Sequence, residues 1–173
     1  MCLPRSKDCK AGRVPVHLLE RSQRVAIPIE RAFALYADSG NLEPMTPPWL
    51  HFRLTDPGPV TMEPGALLNY RLRLHGVPIR WTTRIETWEP PTGFRDTQAS
   101  GPYSFWEHTH RFEADGIGAT VIHDRVRYAL PYGPLGALAH LLFVRRDLRR
   151  IFDYRAEAFE QLVASASTRA GSD

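Results

Sequence analysis

FWEHTHRFEADGIGATVIHDRVRY (105–128) holds two alternating runs around a glycine-containing turn, and its reading decides the fold. Trp106, His108, His110 and Phe112 share one face of the first run, while Ile122, Asp124, Val126 and Tyr128 share one face of the second. A period of two marks antiparallel strands with one face on a core and the other in water. Pairing the two apolar faces fixes the register, because a slip of one residue would place Glu107, Thr109 and Arg111 among the apolar side chains. With the loop at 114–118, Asp124 lies directly across from His110 or His108, and the other imidazole stands one step diagonal. Two imidazoles and a carboxylate are costly to bury on an apolar face unless they satisfy one another.

The same period extends upstream. Leu50, Phe52 and Leu54 alternate with His51 and Arg53, and Leu68, Tyr70, Leu72 and Leu74 alternate with Asn69, Arg71, Arg73 and His75. Ile79, Trp81, Thr83 and Ile85 alternate with Arg80, Thr82, Arg84 and Glu86. Turn signals at DPGP (56–59), EPG (63–65), HGVP (75–78), PPTG (90–93) and SGP (100–102) separate these runs. His17–Ile27 reads as the first strand, which brings the total to about seven. Pro28 suits the start of a helix, IERAFALYAD (29–38), with Phe33, Tyr36 and Ala37 at helical spacing. The proline-punctuated SGNLEPMTPPWL that follows allows at most a further helical turn.

Downstream of PYGP (131–134) the period returns to 3.6 and continues to about Val163, roughly 30 residues or some 45 Å of helix. Leu138, Leu141, Val144, Leu148, Ile151, Phe152, Phe159, Leu162 and Val163 fall on one side, so this helix is expected to lie across the sheet. Arg155 interrupts that stripe between Phe152 and Phe159, with Arg145 nearer its edge. An unpaired guanidinium suits a dry face poorly, so Arg155 calls for a partner, such as Asp124, or for a route to the cavity mouth. The basic run Arg145, Arg146, Arg149 and Arg150 reads as a solvated helix face ahead of a membrane-surface or nucleic-acid patch.

With 173 residues, 43% hydrophobic and 24% charged, the chain suits one globular domain and excludes global disorder. No apolar run approaches the roughly 18–20 residues a transmembrane helix needs. The net charge of +3 suggests nucleic acid until the charges are located. Arg5, Lys7, Lys10 and Arg13 stand against Asp8 in residues 1–15, which leaves the body, 16–165, with equal numbers of basic and acidic residues. A folded nucleic-acid surface would carry the excess itself. Residues 1–15 read as a flexible basic tail and 166–173 as a second tail. Cys2 and Cys9 both lie in the first tail without metal-ligand spacing, so they read as reduced thiols. Without a secretory h-region, a cytoplasmic location is the default.

NLEPMTPPWL (41–50), GPYSFWEHTHRFE (101–113), the Thr120–Asp124–Val126–Tyr128–Pro131 series and FVRRDLRRIFDYR (143–155) resemble the SRPBCC proteins of the START and polyketide cyclase/dehydrase superfamily. The resemblance covers nearly all of 16–165. It implies an α+β helix-grip fold: a bent antiparallel sheet of about seven strands around a long C-terminal helix, with two short helices after strand 1. It also implies an apolar cavity between sheet and helix. Members include lipid and sterol carriers and polyketide cyclases, so the fold alone leaves the function open.

The expected function is binding of a hydrophobic small molecule, lipid-, sterol- or polyketide-like, in that cavity. Tyr70, Trp81, Trp106, Tyr128 and Phe152 would supply apolar contact, and His108, His110, Asp124 and Arg155 the polar end. For the His–Asp group four readings stay open, in this order: a structural hydrogen-bonded pair, a ligand anchor, acid/base catalysis and a metal site. No cofactor and no metal are expected. The rival function is a cofactor-independent cyclase/dehydrase, with His108 or His110 moving protons and Asp124 orienting it. A third reading is an interaction module with a vestigial cavity. Ligand binding calls for an accessible cavity of at least about 300 Å³, and catalysis for an imidazole exposed inside it.

Overall fold

The computed structural model describes residues 15–170, with side chains up to residue 166. The tail readings for residues 1–14 and 171–173 lie outside the described residues. Seven strands form one antiparallel sheet: β1 (His17–Val25), β2 (Arg53–Leu54), β3 (Leu67–Leu74), β4 (Val77–Glu89), β5 (Gly93–Ser100), β6 (Phe105–Ala114) and β7 (Thr120–Ala129). Their order is β1-β7-β6-β5-β4-β3-β2, so the chain enters at one edge and the 105–128 hairpin pairs back onto β1. Register shifts at Thr82/Thr83 and Ile85/Thr87 interrupt the β4–β5 pairing, and irregularities of this kind bend and twist a strand.

Helix α1 (Ile29–Ala37) begins after Pro28, whose carbonyl accepts the first helical bond from the Ala32 N–H at 2.9 Å. The second short helix takes the form of two 3₁₀ turns, Ser39–Asn41 and Pro48–Leu50. The strand expected from Leu50 starts only at Arg53. Leu50 closes the second 3₁₀ turn, and His51 adopts a left-handed backbone with φ of 46°, which no strand accommodates.

The terminal helical region has three pieces: α2 (Gly133–Ala139), a π turn (His140–Val144) and α3 (Arg145–Ala170). The piecewise build corrects one expectation. Helical spacing puts Leu138 and Leu141 on the inner stripe, yet they are 52% and 71% exposed. The wider π turn resets the rotational phase, so a stripe counted at 3.6 residues per turn through it is aligned on one side only. From Leu148 onward the inner face is as expected: Leu148, Phe152 and Phe159 are buried.

Two apolar clusters flank the middle of α3. One joins Phe33 and Tyr36 of α1 with Phe94, Phe112, Ile122 and Phe159; the other joins Leu19, Val126 and Tyr128 with Leu148 and Phe152. Edge strand β1 holds α3 through Gln23, which donates to the Ala156 carbonyl at 2.7 Å, and through Arg21 and Asp153 at 3.0 Å.

Gly93 has a steric role beside the hairpin. A Cβ there would stand 2.4 Å from the His110 carbonyl oxygen, a backbone atom that cannot swing away. Gly93→Ala is therefore expected to push β5 from β6 and cost about 1–3 kcal/mol, read as a lowered urea midpoint with unchanged slope.

Candidate functional site

β6 and β7 pair so that His110 faces Asp124 and His108 faces Val126. On the other side of β6, β5 sets Phe94 against His110 and Asp96 against His108. Each imidazole therefore stands between two carboxylates. His108 Nε2 lies 3.0 Å from Asp124 Oδ1, and His110 Nε2 lies 3.2 Å from Asp96 Oδ2. His110 Nδ1 is 2.8 Å from Asp124 Oδ1 but outside hydrogen-bonding alignment, so that contact is Coulombic. The His110 ring stacks on Phe94 at 4.1 Å, and the His108 ring lies edge-on to Phe152 at 5.2 Å.

Both helices contribute. Tyr36 of α1 donates from its hydroxyl to Asp124 at 2.8 Å, and Arg155 of α3 donates from Nε to the Tyr36 oxygen at 2.9 Å. The guanidinium carbon of Arg155 sits 4.8 Å from the Tyr36 ring centre. Arg155 thus reaches Asp124 through Tyr36 rather than by direct pairing.

Burial and charge sort the protonation states. Burial pushes His108 below the ordinary imidazole value, and neighbouring His110 adds to the effect. His110 is equally buried, but Asp124 and Asp96 outweigh that penalty and raise it. Burial would raise Asp124, yet His108 and His110 overcome it and hold the carboxyl well below its usual range. A neutral His108 that donates from Nε2 to Asp124 keeps Nδ1 as a basic nitrogen, the arrangement a proton-transfer group needs.

The space between sheet and α3 measures about 190 Å³, below the roughly 300 Å³ expected of a ligand site. The reason is the bulk of its walls. Trp81 meets Trp106 edge-on at 5.2 Å, and Tyr70 stacks on Trp81 at 5.9 Å. The Tyr70 hydroxyl and the Trp81 Nε1–H both bond to Thr83 Oγ1, so these aromatics turn apolar surface inward.

Of the residues proposed from sequence, Tyr70, Trp81, Trp106, His108, His110, Phe152 and Arg155 line the space. Asp124 and Tyr128 do not. Asp124 stands behind the imidazoles, and Tyr128 turns its hydroxyl to His140 Nε2 at 3.0 Å. Sequence reasoning missed Asp96 and Tyr36, both cavity-lining. Asp96 shares a strand face with Phe94, a parity signal present in GFRDTQAS. In the sequence, Tyr36 shows only as an aromatic at helical spacing. Asp96, His108 and His110 also hold ligand atoms within 4.8 Å of one another, a donor set able to hold a divalent cation.

A bent antiparallel sheet closed by a long terminal helix over an aromatic-walled space is the helix-grip architecture of START-like ligand-binding proteins. The chain belongs to the polyketide cyclase/dehydrase and lipid transport family, whose model matches residues 17–164. No curated protein matches it. Among solved structures it is similar to TTHA0849 from Thermus thermophilus, at 20% identity and a TM-score of 0.71, covering 87% of this chain and 99% of that one. It is similar to a START superfamily protein from Mycobacterium smegmatis, at 13% identity and a TM-score of 0.64, covering 87% and 99%. It is also similar to norcoclaurine synthase from Thalictrum flavum in complex with dopamine and hydroxybenzaldehyde, at 13% identity and a TM-score of 0.66, covering 95% and 96%. At these identities the likeness shows the fold alone. No helix among the described residues is long and apolar enough to cross a membrane.

Proposed function

We propose that the protein binds a compact, largely aromatic small molecule that carries one hydrogen-bonding group, of the polyketide-like kind rather than a sterol or an extended lipid. The observation that carries this reading is an aromatic-walled space of about 190 Å³ with Arg155 and the two imidazoles on its lining. A dry cavity of about 150 Å³ accepts benzene, so this space suits one or two rings. A sterol would require Trp81, Trp106 or Phe152 to move. Arg155 uses Nε for Tyr36 and has no other hydrogen-bond partner among the described residues, which leaves its terminal nitrogens for a ligand oxygen.

Native mass spectrometry of the chain purified from its own host tests this reading. The expected result is a co-purifying small molecule that is absent from a Leu72→Trp variant, whose new ring fills the space. A chain that carries no added mass and binds no one- or two-ring aromatic probe would sink the proposal.

The second reading, cofactor-independent cyclase/dehydrase chemistry, is favoured by one observation: both imidazoles line the space, and His108 is held neutral with a buried carboxylate behind it. Under that reading the bound molecule is converted, and His108→Asn abolishes turnover while retaining binding. Under pure binding, the molecule recovered is the molecule offered.

A further inference from the structure

We infer that the face built from α2, the π turn and the tip of the β3–β4 hairpin docks on an anionic lipid bilayer. Leu135, Leu138, Leu141, Leu142 and Phe143 are all more than half exposed. Single exposed apolar residues are ordinary, whereas a contiguous group marks a contact surface. The group continues onto the hairpin. His75 Nε2 holds Asp147 Oδ2 at 2.6 Å, the Phe143 ring lies 6.0 Å from His75, and Val77 at the hairpin tip is 60% exposed.

Cations border this apolar group. Arg145, Arg146 and Arg149 on α3, with Arg73 and Arg80 on the hairpin, are exposed and make no ion pair among the described residues. The one acidic residue in 133–152, Asp147, is already held by His75. An apolar centre with an unneutralised arginine border matches a surface of acidic headgroups over hydrocarbon. A second copy of the face would bring arginine against arginine, and a nucleic acid would leave the leucines unmatched. Leu74 and Leu148, next in sequence to His75 and Asp147, line the internal space. Docking would therefore set that end of the space against the bilayer.

The test is co-sedimentation of the full chain with vesicles of phosphatidylcholine alone and of phosphatidylcholine mixed with phosphatidylglycerol. The mixed vesicles should bind the chain, and added salt should weaken binding. Leu141→Ser/Leu142→Ser and Arg145→Gln/Arg146→Gln, both at exposed positions, should each weaken binding about tenfold or more with an unchanged melting temperature. Absence of binding to the mixed vesicles overturns the inference. Binding that either double variant leaves unchanged also overturns it, since another segment such as residues 1–15 would then make the contact. Self-association that depends on the leucines, without vesicle binding, overturns it as well.

Discussion

Replacing Asp124 with asparagine is expected to lower stability by about 3–5 kcal/mol, the cost of removing one partner from a buried charge group. Asparagine preserves volume, so the loss is electrostatic. Asp124 accepts from Tyr36, receives His108 at 3.0 Å and stands 2.8 Å from His110 Nδ1. Without its charge, Asp96 is the carboxylate left beside His110 and Arg155 among the described residues. An exposed pair provides the contrast. Asp153 contacts Arg21 at 3.0 Å with side chains 58% and 35% exposed, so Asp153→Asn should cost less than about 1 kcal/mol.

The pH dependence separates this mechanism from simple loss of packing. The depressed Asp124 contributes stability that is present above its ordinary value of 3.8 and lost as pH falls through its folded value. The raised His110 contributes stability that is present below 6.5 and lost as pH rises through its folded value. The gap between wild type and Asp124→Asn should therefore be widest between these limits and narrow on both sides. Urea titrations across that range measure it, and a gap independent of pH would assign the loss to packing.

Phe159→Ala is expected to cost about 3–5 kcal/mol, since it removes a large side chain and leaves a cavity. Phe159 is 0% exposed and backs the Tyr36 ring at 5.0 Å. The loss should extend to the polar group, because Tyr36 then has less to hold its hydroxyl on Asp124. Phe143→Ala, in the same helical region but 53% exposed, should change stability by no more than about 0.5 kcal/mol. Guanidinium denaturation of the two variants side by side checks both values. Equal losses would mean that the rotational phase across the π turn is other than described.

Those two phenylalanines illustrate where the sequence was legible. Phe159 lies beyond the π turn, where a 3.6-residue count from Leu148 and Phe152 holds. Leu138 lies before it and Leu141 within it, where the same count points them inward and the structure turns them out. Helical periodicity assumes one unbroken phase, and a five-residue π turn is written in no residue type. The hairpin behaved differently. Its alternation alone forced His108, His110 and Asp124 to one side, because a one-residue slip would bury charge. The observed pairing of His110 with Asp124 is one of the two registers that argument allowed.

Asp96 and Tyr36 show why the rest of the site was hidden. Asp96 belongs to a strand whose pairing with β4 contains register shifts, and its weak alternation gave it no partner by inspection. Tyr36 is an aromatic at core spacing, and only its proximity to both Asp124 and Arg155 turns its hydroxyl into a link between them. The size of the internal space was hidden for a related reason, since volume depends on how Trp81, Trp106 and Phe152 pack.

The sequence by itself determined the antiparallel sheet, the terminal helix and the side of the sheet on which polar groups would meet, because periodicity and the cost of burying charge act locally along each strand. Only the tertiary structure decided which helices complete that polar group, how much room remains beside it and which leucines face outward. These depend on the spacing and rotation of elements distant in the chain, which residue order constrains only through the packing it permits.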